Sequence, residues 1–242
     1  MVPKISIIIP VKNEEKCLEK TLKQYLSIKK KFGIEVITSD GGSTDKTIEI
    51  ARKYADKCIL RKRGKKQTIA AGRNAGSRIA KGKILIHTDA DVIIPDKERF
   101  FKRVNDLFKN KKIIAATPKL RIYPEEERIS DKIGHFFINF TMRIANMFFP
   151  FLGKGECQIV RTSSFNKVGG YKETLVMGED SNLFYRLRRI GRIAYLNDLV
   201  IYHSPRRFRK EGYIRLLLIF SFEGLYLILS GKPFLREWKQ VR

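Results

Sequence analysis

The sequence predicts an α/β fold, a largely parallel sheet flanked by helices. Two observations carry that expectation. Short β-branched runs alternate with amphipathic stretches of helical length through the first half of the chain, and three of those runs end in polar clusters. Strands separated by helices of that length join as right-handed βαβ crossovers. In such sheets the ligand crevice lies beyond the carboxyl ends of the strands.

Residues 4–9 are a β-branched run closed by Pro10, which reads as a buried strand. Residues 15–31 follow as a helix, with Leu18, Leu22, Tyr25 and Leu26 on one face. A second strand over 34–39 runs into the turn Asp40-Gly41-Gly42-Ser43. A helix over 44–54, a third strand over 57–61 and a helix over 66–80 rich in small residues come next. Residues 83–88 form a fourth strand that leads directly into Asp89-Ala90-Asp91. A helix over 96–110 and a strand over 112–117 complete the regular half. The polar clusters at 10–14, 40–43 and 89–91 therefore converge on one sheet edge.

The second half is less regular. Residues 133–152 are crowded with Phe and Met, and Gly-rich turns follow at 153–155 and 169–170. A helix begins near Glu179-Asp180, and short strands are expected over 192–196 and 199–203. Residues 213–230 read as a strongly apolar helix with basic flanks. We divide the chain into an α/β domain over 1–210 and a C-terminal helical segment over 211–242.

A chain of 242 residues supports one well-buried core, and 43% hydrophobic content excludes a disordered composition. Fifty Lys and Arg against 25 Asp and Glu, a net charge of +25, favour an anionic partner. Cys17, Cys58 and Cys157 are odd in number and widely spaced. That pattern argues against a disulfide framework or a zinc site and fits a reducing cytosol. The N-terminal apolar stretch is too short for a signal-peptide core, so no exported form is expected.

Asp89-Ala90-Asp91 sets two carboxylates around one small residue. Hard divalent cations such as Mg²⁺ or Mn²⁺ take oxygen ligands, often one or two carboxylates together with substrate phosphates. A lone triplet of this kind is commonly a solvated turn; its place at the sheet edge favours the metal.

Several motifs stand in order along the chain. They are Ile7-Ile8-Ile9-Pro10-Val11-Lys12-Asn13-Glu14, Asp40-Gly41-Gly42-Ser43-Thr44-Asp45-Lys46-Thr47, Gly72-Arg73-Asn74-Ala75-Gly76, Asp89-Ala90-Asp91, Val168-Gly169-Gly170-Tyr171 and Gly178-Glu179-Asp180. With these the chain resembles the family 2 glycosyltransferases, which have the Rossmann-like GT-A fold, over roughly residues 4–203. The resemblance implies a nucleotide-diphospho-sugar donor and a metal-dependent, inverting sugar transfer. Pro10, Val11 and Glu14 would line the nucleoside pocket, with Glu14 near the ribose, and Asp40 would meet the base. Lys65 and Arg73 would approach the diphosphate, beside Asp89 and Ala90 of the triplet. Asp89 and Asp91 would hold the metal, with His203 as a further ligand. Asp180 would be the catalytic base, and Glu179, Arg206 and Arg207 would serve the acceptor or phosphate.

Each of these residues also has a local reading. Asp40 suits an Asx-turn, and Ser43 and Thr44 suit helix caps. Lys65 and Arg73 suit solvated helix charges. Glu179 and Asp180 are ordinary acids for a first helical turn. Val11 replaces a frequent aromatic, and Asp40 lacks a second adjacent acid, which leaves uracil and guanine both open as the base.

Residues 213–230 approach the length of a membrane helix but include Arg215 and Glu223. A helix lying in the headgroup region fits better, together with residues 133–152 and with the basic stretches 206–210 and 232–242 on anionic lipid. That placement points to the cytoplasmic membrane face and to a lipid-linked acceptor, such as a polyprenyl phosphate or its sugar derivatives. The alternative is packing into the core or into a homo-oligomer. A nucleotidylyltransferase would need a Gly-rich loop after the first strand, which is absent here. A nucleic-acid-binding protein would explain the charge and not the acidic clusters, and no recognition motif for nucleic acid is visible.

Overall fold

The computed structural model describes residues 3–61, 67–148, 155–175 and 177–230, without the side chains of 141–148, 221, 223–225 and 227–230. Seven strands form one sheet: β1 (Ile5–Val11), β2 (Ile34–Asp40), β3 (Lys57–Leu60), β4 (Ile84–Thr88), β5 (Ile113–Ile122), β6 (Cys157–Arg161) and β7 (Arg192–His203). The helices are α1 (Glu15–Lys23), α2 (Lys29–Phe32), α3 (Thr47–Tyr54), α4 (Ile69–Ile79) and α5 (Lys97–Leu107) in the first half. The second half adds α6 (Ile129–Phe148), α7 (Thr162–Lys167), α8 (Glu179–Arg188), α9 (Arg206–Glu211) and α10 (Tyr213–Ser230).

The sheet order is β3-β2-β1-β4-β6-β5-β7. Parallel pairing joins β3, β2, β1 and β4, and also β5 with β7. The first strand shows why its residues read as an unbroken apolar run. Ile5, Ile7, Ile9 and Val11 enter one core with Leu18, Leu22, Phe100 and Phe101. Ile8 points to the opposite face and enters a second core with Ala70, Leu183 and Phe184. A strand covered on both faces has no polar face to show. Each fully buried Ile contributes roughly 1.5–3 kcal/mol relative to exposure. The small residues of α4 are explained in the same way: a Cβ on Gly76 would stand 2.5 Å from Ile8 Cγ2, so this helix lies flush on β1.

Three expected elements differ. The helix expected over 15–31 is two helices, joined by turns in which the Tyr25, Leu26 and Ile28 amides donate to carbonyls three residues back. The Gln24 side chain between them ties α1 to the segment after β4. Its Nε2 donates to the Val92 carbonyl (2.8 Å) and its Oε1 accepts from the Ile94 amide (2.8 Å). The short strands expected over 192–196 and 199–203 are one strand, β7, with a register shift opposite Pro118 and Lys119. Proline lacks the amide a regular ladder needs, so an irregularity is its usual place in a strand. The third difference is β6, which had no counterpart in the expected elements. It enters between β4 and β5, antiparallel to both.

The crowded apolar stretch of the second half is α6. It docks on β5 and exposes Ile129, Ile133, Phe136 and Phe137. Among the described residues, no helix is long and apolar enough to cross a membrane.

Candidate active site

The parallel strands β1, β2 and β4 end side by side, with Val11 opposite Asp40. The loops beyond β1 and β2 are interlocked. Asp40 accepts from the Gly42 amide (2.7 Å) and from the Ser43 amide (3.1 Å) and hydroxyl. The Ser43 hydroxyl in turn accepts from the Asn13 amide (2.8 Å), and Asn13 Oδ1 accepts from the Thr44 amide (2.8 Å). Asp40 is therefore an Asx-turn residue, buried and with both oxygens engaged by the Gly42-Ser43 turn. Ser43 and Thr44 are not helix caps, because α3 starts only at Thr47. The Thr47 hydroxyl accepts from the Glu14 amide (2.7 Å).

Asp89-Ala90-Asp91 leaves the end of β4 with its backbone fastened. The Ala90 carbonyl accepts from the Thr21 hydroxyl (2.6 Å), and the Asp91 carbonyl accepts from the Tyr123 hydroxyl. Neither partner carries a sequence signal of its own. Each carboxylate of the triplet meets a different arginine. Arg73 Nη2 lies 2.9 Å from Asp89 Oδ1, and Arg206 Nη2 lies 3.0 Å from Asp91 Oδ2.

Arg73 is not a solvated helix charge. It is 1% exposed, and its other terminal nitrogen, Nη1, lies 3.0 Å from Glu179 Oε1. It therefore meets the donor region through Asp89, with both terminal nitrogens already engaged. Arg206, expected to clamp phosphate oxygens, instead grips Glu14 with both terminal nitrogens, at 2.9 and 3.2 Å. In this arrangement the Glu14 carboxylate faces Arg206. Arg207 pairs with Glu211 at 3.0 Å along α9. Lys65 lies outside the described residues.

Glu179 and Asp180 open α8. Burial raises both carboxyls above the ordinary carboxylate range; Asp180 adds to the rise at Glu179, whereas the Ser181 amide and Arg73 oppose the rise at Asp180. Asp180 Oδ1 accepts from the Ser181 amide (2.7 Å). Burial likewise pushes Asp91 up to about 7; Arg206 opposes this shift, and Asp89, Glu14 and Glu156 add to it.

A crowd of carboxylates short of positive charge suits a hard divalent cation, so the donor chemistry of Asp89 and Asp91 fits Mg²⁺ or Mn²⁺. His203 ends β7, and its Nε2 stands 2.8 Å from His135 Nε2. To ligate a metal through that nitrogen it would have to leave His135. No group of three or more His, Cys, Asp or Glu suited to a metal occurs among the described residues.

The model of Glycosyl transferase family 2 matches residues 6–169, from β1 past α7. The chain belongs to this family. Among the relatives of this family 2 chain is the succinoglycan biosynthesis protein ExoA of Rhizobium meliloti (strain 1021). It is 24% identical over 213 residues, covering 79% of the chain and 60% of that protein. The dolichyl-phosphate beta-glucosyltransferase of Homo sapiens is 30% identical over 146 residues, 53% of the chain and 44% of that protein. The chain thus spans 60% or less of the length of these two relatives.

Two solved structures share the fold. The mannosyltransferase PcManGT of Pyrobaculum calidifontis, in complex with GDP-Man and Mn²⁺, has a TM-score of 0.63 at 20% identity, over 89% of the chain and 63% of that structure. Glucosyl-3-phosphoglycerate synthase of Mycobacterium tuberculosis, in complex with Mn²⁺, UDP and glucosyl-3-phosphoglycerate, has a TM-score of 0.61 at 20% identity, over 96% and 81%. The sheet is accordingly GT-A-like.

Proposed function

We propose that this chain transfers a sugar, with inversion, from a UDP- or GDP-sugar to an acceptor in the presence of Mg²⁺ or Mn²⁺. One observation carries the reading: the donor-side carboxylate Asp89 and Glu179, the neighbour of Asp180, meet across one guanidinium at the sheet edge. Pro10, Val11 and Asp40 would border the nucleoside, and Asp89 and Asp91 would hold the cation. When bound, that cation neutralises the diphosphate and stabilises charge on the leaving nucleotide. Asp180 takes the proton of the acceptor hydroxyl as its oxygen attacks the anomeric carbon, and the bond to the diphosphate oxygen breaks. Its elevated pKa suits a base that must also release the proton. If the acceptor is a phosphate, Asp180 positions it instead. Glu179, beside Asp180 at the start of α8, pairs with Arg73, and His203 would join the cation through Nε2 only by exchanging its His135 contact.

An exposed apolar surface on two helices supports a lipid-linked acceptor. Helices α6 and α10 expose Ile133, Phe136, Phe137, Ile214, Leu218 and Phe222. The exposed cations Lys132, Lys210 and Arg215 border them. An apolar face rimmed by cations fits an anionic membrane surface, and a relative carrying dolichyl phosphate in its name supports a lipid-linked acceptor. Arg206, Arg207 and Arg209 add little to that rim, since each is held by a carboxylate.

A thermal-shift panel of UDP- and GDP-sugars with and without Mn²⁺ tests the donor reading: one donor should stabilise the chain only with metal. No response to any donor would sink it. Flotation with phosphatidylglycerol vesicles tests the surface. Binding that weakens with salt is expected; failure to bind, with a dimer in light scattering, would assign the face to a second copy.

A further inference from the structure

We infer that Arg73 is a positioning residue that keeps the donor half and the acceptor half of the site in register. The inference rests on the proposed function, which sets Asp89 on the donor and Asp180 on the acceptor. Arg73 belongs to the crossover helix α4, which precedes β4 and makes no covalent link to α8. Its Nη2 reaches Asp89 Oδ1 (2.9 Å) and the Gly155 carbonyl (2.7 Å), while Nη1 reaches Glu179 Oε1 (3.0 Å). One planar group therefore ties the end of β4, the loop before β6 and the first turn of α8.

Three further observations set this arginine apart from a simple buried ion pair. The next residue, Asn74, closes a two-way bond with Tyr171, donating to its carbonyl and accepting from its amide, each at 2.9 Å. The ring of Tyr171 lies 5.5 Å from the Arg73 guanidinium carbon. Helix α4 thus grips the segment that leads into α8 at two consecutive positions. Gly155 supplies the third observation. A Cβ there would sit 3.2 Å from Asp180 Oδ2 and 3.8 Å from Arg73 Nη2, so the loop carbonyl, the base and the guanidinium crowd a single point.

The geometry separates this role from donor binding. Arg73 is 1% exposed, and three of the four N–H donors at its tip are spent on Asp89, Gly155 and Glu179. Its Nε has no hydrogen-bond partner among the described residues, so the acceptors at the tip set the plane of the fork. A lysine keeps the charge but cannot span acceptors on two elements at a fixed angle. A misplacement of about 1 Å between reacting groups costs on the order of 100-fold in rate.

The experiment uses the full chain with Arg73→Lys, Glu179→Gln, the double variant and Gly155→Ala. Calorimetry with Mn²⁺ and a UDP- or GDP-sugar comes first. If the wild-type chain binds no donor, the proposed function fails and this inference falls with it. Given donor binding, Arg73→Lys should lower kcat by about 100-fold, while donor Kd and KM change by less than about threefold. Glu179→Gln should lower kcat less, and the double variant should be no worse than Arg73→Lys alone. An unchanged kcat in Arg73→Lys would overturn the inference, as would a KM rise that accounts for the whole loss. Additive losses in the double variant would do so too. Should Arg73→Lys fail to fold, Gly155→Ala decides: reduced kcat at unchanged donor Kd supports the inference, and wild-type kcat rejects it.

Discussion

The two arginines that flank the acidic triplet hold equivalent carboxylates in opposite ways. Arg73 reaches Asp89 from a helix packed into the core, and its side chain is 2% exposed. Arg206 reaches Asp91 from the short helix α9 near the surface, and its side chain is 30% exposed. Arg73 engages three separate segments of chain, so its removal leaves buried groups without partners. Arg206 grips Glu14 and Asp91, the same carboxylates that the donor site would turn toward nucleoside and cation. One arginine is therefore framework, and the other stands where a bound cation would compete with it.

The comparison breaks most readily at Arg73. Replacing it with Met should destabilise the chain by about 3–5 kcal/mol, because Glu179 and the Gly155 carbonyl stay buried and unpaired. Urea unfolding measures this, and Arg206→Met in parallel should cost less, because Arg206 itself is partly exposed although Glu14 and Asp91 beneath it are buried. Equal losses would erase the distinction. Asp91→Ala should remove the stabilisation gained from Mn²⁺ with donor, about 2.7 kcal/mol when ligand stands at a hundred times its Kd. Survival of that gain in a thermal scan would place the cation elsewhere. Arg206→Ala should tighten Mn²⁺ binding without donor by up to about tenfold, or about 1.4 kcal/mol, as titration calorimetry would show. Weaker binding would mean that Arg206 assists the cation rather than competing with it.

A separate effect is on pH dependence. Asp91 titrates at about 7 in the folded chain, above the ordinary aspartate range, so the folded state holds a proton that the unfolded state has released. Without metal, stability should therefore fall as pH rises from about 4 to about 7. Arg206 opposes the shift at Asp91, so Arg206→Ala should steepen the fall, and saturating Mn²⁺ should flatten it. Unfolding free energies across that range decide the point.

Much of the sheet edge was legible in the sequence, since the alternation of strands and helices fixes which loops share it. Asp40, Asp89 and Asp91 follow strands, so their positions come from local pattern alone. The partners of those residues were not legible. Glu14 and Arg206 stand at opposite ends of the chain, and no spacing rule pairs them. Arg73 fits two readings equally well as a sequence position, approach to the diphosphate or solvated charge. Its burial depends on Gly155 and Glu179 closing over it from later segments. β6 was not legible because Cys157-Gln158-Ile159-Val160-Arg161 is short, with two β-branched residues between a Gly-rich turn and the six-residue α7. Only its insertion between β4 and β5 makes it a strand.

By itself the sequence determined the α/β class, the sheet edge and the acidic triplet at the end of β4, because side-chain periodicity and turn chemistry act over a few residues. Tertiary structure decided which charge faces which. It set Arg73 between Asp89 and Glu179, turned Arg206 onto Glu14 and Asp91, and paired His203 with His135. The reason is physical. Buried charges and hydrogen-bonding groups must find partners wherever the packed chain brings them, and that search runs across the whole fold rather than along it.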